Sequence, residues 1–136
     1  FAIGGHLSNL EIDVEDVVST LPEYSIDGRA VPVQLHQDYI QRPPSRGCRI
    51  VGDAGKIIVD LIGCSVQVFD GDGSRVQDEA FEDFPRNQLF LDQTTHFLKC
   101  LSGEEKSLVS LCDGAASLTM ALAIKQSLSS GEVVSL

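Results

Sequence analysis

The sequence predicts an α+β fold, an open and predominantly antiparallel β-sheet with helices packed on one face. Three observations predict it. Up to Phe81 the apolar residues recur with period two in short runs, and after Pro85 the period changes to that of a helix. The runs are separated by Asp-Gly and other glycine-rich punctuation. The connections between them are also too short for the crossover that parallel strands require.

The clearest strand pattern lies between Arg29 and Arg46. Val31, Val33, Leu35 and Tyr39 point one way, while Gln34, His36 and Asp38 point the other, the mark of a strand buried on one side. One face makes core. The other shows amide, imidazole and carboxylate to water, a partner or a ligand. Pro43 and Pro44 stop the strand, because proline has no N–H for the ladder and restricts the residue before it.

Ahead of it, Leu10 to Val18 carries Glu11, Asp13, Glu15 and Asp16. Paired carboxylates can hold a hard metal or do acid–base chemistry. With no histidine or asparagine interleaved at a ligand spacing, a solvated edge is the better reading. Val17 to Tyr24 reads as a strand that Pro22 displaces toward an edge or bulge. Asp27-Gly28 then supplies a hairpin turn, so this strand pairs antiparallel with Arg29 to Gln41.

Cys48 to Val51 and Lys56 to Leu61 are short β-branched runs joined by Gly52-Asp53-Ala54-Gly55. Ser65 to Phe69 and Arg75 to Phe81 are two more, joined through Asp70-Gly71-Asp72-Gly73. That joint lacks the third aspartate, the distal glutamate and the flanking helices of a calcium loop, and is a turn. The result is a meander of about six strands.

From Arg86 to Leu101, Leu89, Phe90, Thr94, Phe97, Leu98 and Leu101 share one half of a helical wheel, with His96 at its margin. Gly103 ends that helix. Ser110 and Asp113 form a capping box for a second helix running to about Ser129. Leu111, Ala115, Leu118 and Leu122 make its tight stripe, and Ala116, Met120, Ala123 and Ile124 cover much of the other side, so it should be largely buried. Gly131 terminates it, and Val133 to Leu136 reads as a last short strand.

Composition narrows the function. A chain of 136 residues with 43% hydrophobic and 22% charged residues is one globular domain by length, and no apolar run is long enough to span a bilayer. A net charge of −10 and a pI near 4.5, with scattered basic residues, argue against nucleic acid and membrane surfaces as partners. Cys48, Cys64, Cys100 and Cys112 form no CxxC pair, which argues against zinc and for reduced, mostly buried thiols in a cytoplasmic protein. The opening Phe1-Ala2-Ile3-Gly4-Gly5 has neither an initiator methionine nor a signal-peptide layout, and is expected to be the start of a fragment. No GxGxxG, phosphate-binding loop, GxSxG or HExxH occurs.

The phrases VEDVV, VQLHQDYIQRPPSRGCRIVGDAGKIIVDL, PRNQLFLDQTTHFLKCLSGEE and SLCDGAASLTMALAIKQSLSSGEVVSL, in that order and spacing, resemble the C-terminal domain of the Gfo/Idh/MocA oxidoreductases. The resemblance covers nearly the whole chain and implies a fold like the C-terminal domain of glyceraldehyde-3-phosphate dehydrogenase. It implies a parent whose N-terminal Rossmann domain binds NAD or NADP, with residues 1–136 as a single C-terminal domain for substrate binding and oligomerisation. In the family, a catalytic histidine preceded by an aspartate stands at the start of this domain. His6 has Ile3 and Ala2 at those preceding places, so no catalytic role is assigned to it.

The resemblance further implies that the chain alone binds no cofactor and is inactive, while the spacing of its carboxylates and cysteines argues against a metal. Arg42, Arg86, Asn87 and His96 are its candidate contacts to a sugar, nucleotide-sugar or polyol substrate. Gln34, His36 and Asp38 are its candidate face for self-association. The alternative is a non-catalytic interaction and dimerisation module. A hydrolase built on the N-terminal carboxylates is disfavoured by their spacing.

Overall fold

The computed structural model describes all residues from Phe1 to Leu136. The strands are β1 (Ala2–Gly5), β2 (Val17–Thr20), β3 (Glu23–Ile26), β4 (Arg29–Pro32), β5 (Leu35–Asp38), β6 (Gly47–Gly52), β7 (Gly55–Asp60), β8 (Ser65–Asp70) and β9 (Arg75–Ala80). The helices are α1 (Arg86–Ser102) and α2 (Leu111–Ser130). Every pairing is antiparallel, as the α+β reading requires. The single open sheet is corrected: the strands form three sheets, ordered β1-β2-β5, β3-β4 and β6-β7-β8-β9. The chain gathers into two compact units, one of Phe1–Gln41 with Leu108–Leu136, the other Arg42–Ser107.

In the first unit the Asp27-Gly28 turn forms as expected, both residues at positive φ (50° and 76°), which matches the right-handed twist of the strands it joins. Register is constant along the whole hairpin: Val17 faces Asp38, Thr20 faces Leu35, Glu23 faces Pro32 and Ile26 faces Arg29. What breaks is the ladder. Pro22 and Pro32 bring no N–H, and where Leu21-Pro22 meets Val33-Gln34 only Val33 N–H to the Pro22 carbonyl remains, at 2.9 Å. The long strand from Arg29 to Gln41 is therefore two strands of four residues, and Gln34 lies between them. Its end comes before the prolines, because the Asp38 carboxylate takes the N–H groups of Ile40 and Gln41.

β1 was invisible to periodicity, since half of Ala2-Ile3-Gly4-Gly5 is glycine. It nonetheless pairs with β2 along its whole length. Conversely, Val133 to Leu136 is not a strand. The nearby Glu132 carbonyl is taken by the Ser127 hydroxyl at 2.6 Å instead of a ladder donor.

α2 starts on the expected capping box, with Asp113 N–H donating to Ser110 Oγ at 3.2 Å and Ser110 N–H to the Asp113 carboxylate at 2.8 Å. Ser110→Ala should lower stability by about 1 kcal/mol, read as a lower thermal midpoint by circular dichroism; an unchanged midpoint would mean that the cap does not hold the helix. The expectation of a largely buried α2 is corrected. Its covered side is Met120, Ala123, Ile124, Ser127 and Leu128, while Leu111, Leu118 and Leu122 of the tighter stripe stand exposed. Ser127 decides which side turns in, because its hydroxyl also accepts from Ala2 N–H at 2.9 Å. Length explains the rest: a helix of 20 residues rises about 30 Å, whereas strands of four residues reach only about 13 Å.

The second unit is the expected meander. β6 to β9 pair in sequence order, with a bulge at Val68/Phe69. Its turns are held by carboxylates. Asp60 accepts from Ile62 and Gly63 N–H, and Asp70 accepts from Asp72 and Ser74 N–H, so the DGDG joint is a turn. The central strands β7 and β8 are mostly half-buried, the outer β6 and β9 exposed. α1 ends where Gly103 N–H returns to the Cys100 carbonyl, and its apolar arc Leu89, Phe90, Phe97, Leu98 and Leu101 is more than half exposed. The sheet of this unit does not cover α1, contrary to the expectation of helices packed on one face.

Ala2 is the one fully buried apolar residue of the chain. The thiols differ from expectation too. All are free, but Cys48 is exposed on an edge strand and Cys112 in the first turn of α2, while Cys64 and Cys100 are half-buried. No helix is long and apolar enough to cross a membrane.

Candidate functional site

Each histidine of the chain sits beside a carboxylate, and these pairs concentrate its polar chemistry. In the first unit, the β2–β5 register sets Ser19 opposite His36, and the pleat puts His36 and Asp38 on one face. Ser19 Oγ lies 2.7 Å from His36 Nδ1, and His36 Nε2 lies 3.0 Å from Asp38 Oδ2. The other oxygen of Asp38 takes Ile40 and Gln41 N–H. These bonds, Gln41's first, hold the Asp38 carboxyl below the ordinary carboxylate range. Such a chain of groups can pass a proton, and it ties β2 to β5. For association the face is smaller than the alternation suggested. His36 is 49% exposed, but Asp38 is only 7% exposed and turned into its own backbone, and Gln34 has left the ladder.

Asp16 is the most enclosed ionisable group, at 2% exposure. The carboxylate stretch from Leu10 was expected to be a solvated edge, and for Asp16 the structure corrects this. Its oxygens take Leu7 N–H at 2.7 Å, Ser8 N–H at 2.9 Å and the Ser8 hydroxyl at 2.5 Å, with His6 Nε2 at 3.7 Å. The Leu7 bond leads in drawing its pKa down to about 2, helped by the Ser8 hydroxyl against the opposing effect of burial. His6 opens on a hollow of about 310 Å³ shared with Asp13, Val14, Glu15 and Lys125, whose Nζ stands 3.7 Å from Glu15. A second hollow of about 370 Å³ runs between the β2–β3 junction and α2, and the buried Thr20 hydroxyl on its wall has no partner. No group of three His, Cys, Asp or Glu side chains is arranged to hold a metal ion.

In the second unit, Arg42 stands in the loop before β6, and Arg86 and Asn87 are exposed on the first turn of α1. That helix starts on Pro85 without a side-chain cap or an acidic residue in its first turn, where the Gln88 N–H returns to the Pro85 carbonyl at 2.8 Å. His96 is not with them. At 3.6 residues per turn, nine residues turn the helix through two and a half revolutions, which sets His96 roughly 180° around from Asn87 and about 13 Å further along. Arg86 and Asn87 are brought together, and His96 belongs to a different cluster.

That cluster was missed by sequence reasoning. His96 Nδ1 is 2.8 Å from Glu105 Oε2, and Cys100 Sγ is 3.5 Å from His96 Nε2. Lys99 Nζ holds the other oxygen of Glu105 at 2.7 Å. Lys99 first, and His96 after it, keep Glu105 below its ordinary pKa, while Glu105 raises that of Lys99. The spacing of His96 and Cys100 on a helix was a legible signal. Glu105 was not, because it arrives only when the chain beyond Gly103 folds back, with Glu104 and Glu105 N–H on the Lys99 carbonyl. Compared with protein-family models, curated proteins and solved structures, the chain matches none.

Proposed function

We propose that this chain is the C-terminal substrate-binding and dimerisation domain of a Gfo/Idh/MocA-type NAD(P)-dependent oxidoreductase, whose parent transfers hydride to or from a sugar, nucleotide sugar or polyol. The observation that carries this reading is the ordered wording from VEDVV to the final SGEVVSL, laid over antiparallel strands and then two helices. Uncovered apolar side chains support it: Phe90 and Phe97 on α1 and Leu118 and Leu122 on α2 are more than half exposed, as expected of surfaces that another domain or subunit completes. Arg86 supports it as well. A cation in the first turn of a helix opposes the dipole, so a substrate anion or hydroxyl would relieve that position.

Expression of the full natural coding sequence, with steady-state assays on polyols, sugars and nucleotide sugars, tests the reading. The product should reduce NAD or NADP, and Arg86→Ala should raise KM roughly tenfold, the loss of one charge-assisted hydrogen bond. A coding sequence with no nucleotide-binding loop upstream of Phe1 would sink the proposal. The same uncovered apolar faces would then favour the second reading, a dimerisation module without catalysis.

A further inference from the structure

We propose that Ser19, His36 and Asp38 form an acyl-transfer site for activated carboxylic esters on the open face of the β1-β2-β5 sheet, with Ser19 as nucleophile, His36 as its base and Asp38 as the residue that positions His36. Both ring nitrogens of His36 are accounted for. The Asp38 carboxylate, held ionised by the Gln41 and Ile40 N–H groups, accepts from Nε2–H at 3.0 Å, so the ring carries its proton there. Nδ1 is then an acceptor, and the hydroxyl that donates to it is that of Ser19, at 2.7 Å. Nucleophile, base and orienting carboxylate thus stand in line, an arrangement recognised by geometry and roles and not by position in the chain. The carboxylate is nearly buried, while the imidazole is half open and Ser19 is partly exposed beside it.

The surroundings leave room for a substrate. α2 covers the opposite face of this sheet, where Ala2 and Thr20 are buried and Ala2 N–H meets Ser127 Oγ. On the face of Ser19, register sets Ile3, Ser19 and His36 in one row across the strands. Ile3 is exposed and offers an apolar contact to an acyl chain, and Gly5, one row along, has open space where a side chain would stand. The N–H groups of β2 are spent in its ladders with β1 and β5, so the substrate brings its own activation, an electron-poor carbonyl and a weakly basic leaving group, as in an aryl ester. In the reaction Ser19 Oγ bonds to the carbonyl carbon while its proton passes to His36 Nδ1. The C–O bond to the leaving group then breaks, and that group departs with the proton as the alcohol. Water repeats the sequence on the acyl-serine, its proton passing through Nδ1 to Ser19 Oγ as the carboxylic acid departs.

Labelling of the chain with diisopropyl fluorophosphate, mapped by peptide mass spectrometry, tests this together with steady hydrolysis of p-nitrophenyl acetate. Ser19 should be labelled about a hundredfold faster or more than the exposed Ser45 and Ser74, the low end of what a placed base provides. Ser19→Ala should remove most of the ester hydrolysis, and His36→Gln should bring the labelling of Ser19 down to the level of the exposed pair. Asp38→Asn should slow that labelling about tenfold or more and move the His36 ring proton from Nε2 to Nδ1, read by nitrogen NMR of the ring, a change that a merely structural loss would not produce. The proposal is overturned if Ser19 in the unaltered protein reacts no faster than Ser45 and Ser74, if it keeps its rate in His36→Gln, or if Ser19→Ala hydrolyses the ester as fast as before.

Discussion

Replacing Asp16 with alanine should release the segment from His6 to Leu10. The amides of Leu7 and Ser8 each lose a charge-assisted acceptor and the Ser8 hydroxyl loses a third bond, so both amides should exchange with solvent roughly tenfold faster or more. Asp16→Asn should do nearly as much, since the amide keeps one acceptor oxygen and sets an NH₂ against donors. Hydrogen exchange by NMR reads this directly, and unchanged protection at Leu7 and Ser8 would refute it.

The same bonds set a pH dependence. Asp16 titrates near 2 in the folded chain against about 3.9 in an unfolded one. Between those values the unfolded state binds the extra proton. The stabilisation is therefore complete above the unfolded value and drains away as pH falls through about 2. Asp38, Asp60, Asp113 and Glu105 are depressed too and act in the same sense. Lys99 has the opposite sign: its raised pKa stabilises below the unfolded value and is lost as pH rises through the folded one. Unfolding in acid should thus begin as the carboxylates protonate, and the Asp16→Asn chain should show a shallower acid limb in a pH series of urea midpoints.

The largest backbone effect is expected at Gly55. Its φ of 143° lies where side chains are rarely accommodated, and a Cβ there would fall inside the van der Waals shell of the Phe69 carbonyl oxygen on the neighbouring strand. Neither obstacle can yield without parting β7 from β8. Gly55→Ala should cost about 2–3 kcal/mol, measured as a fall in the urea midpoint, with lost amide protection along Gly55 to Ile57. Gly52, its register partner across the hairpin, has open space beyond its Cα and no positive φ. Gly52→Ala should stay within about 0.5 kcal/mol. Equal effects at the two glycines would show that lost chain entropy, and not the carbonyl contact, governs the hairpin.

Much of the local structure was legible because it depends on neighbours in the chain. The Asp27-Gly28 turn, the meander from Gly47 to Ala80, the helix change at Pro85 and the Ser110 cap each need only a few adjacent residues. The candidate site was legible in part. His36 with Asp38, and His96 with Cys100, have spacings that put them on one face, whereas Arg86 and His96 share a helix but not a location. Asp16 misled, because a carboxylate among carboxylates reads as solvated until the loop that wraps it is seen.

By itself, then, the sequence determined the α+β class, the antiparallel pairing of Val17–Ile26 with Arg29–Asp38 and where each helix starts, because hydrophobic period, turn residues and caps act over a few residues. Tertiary structure decided the rest. It split the expected sheet into three, found a partner strand for the glycine-rich β1, turned the Met120–Ser127 side of α2 inward and brought Glu105 to His96. Those outcomes depend on which donor meets which acceptor once the chain has turned back on itself, from nine residues apart for His96 and Glu105 to 125 for Ala2 and Ser127, and periodicity carries no record of that.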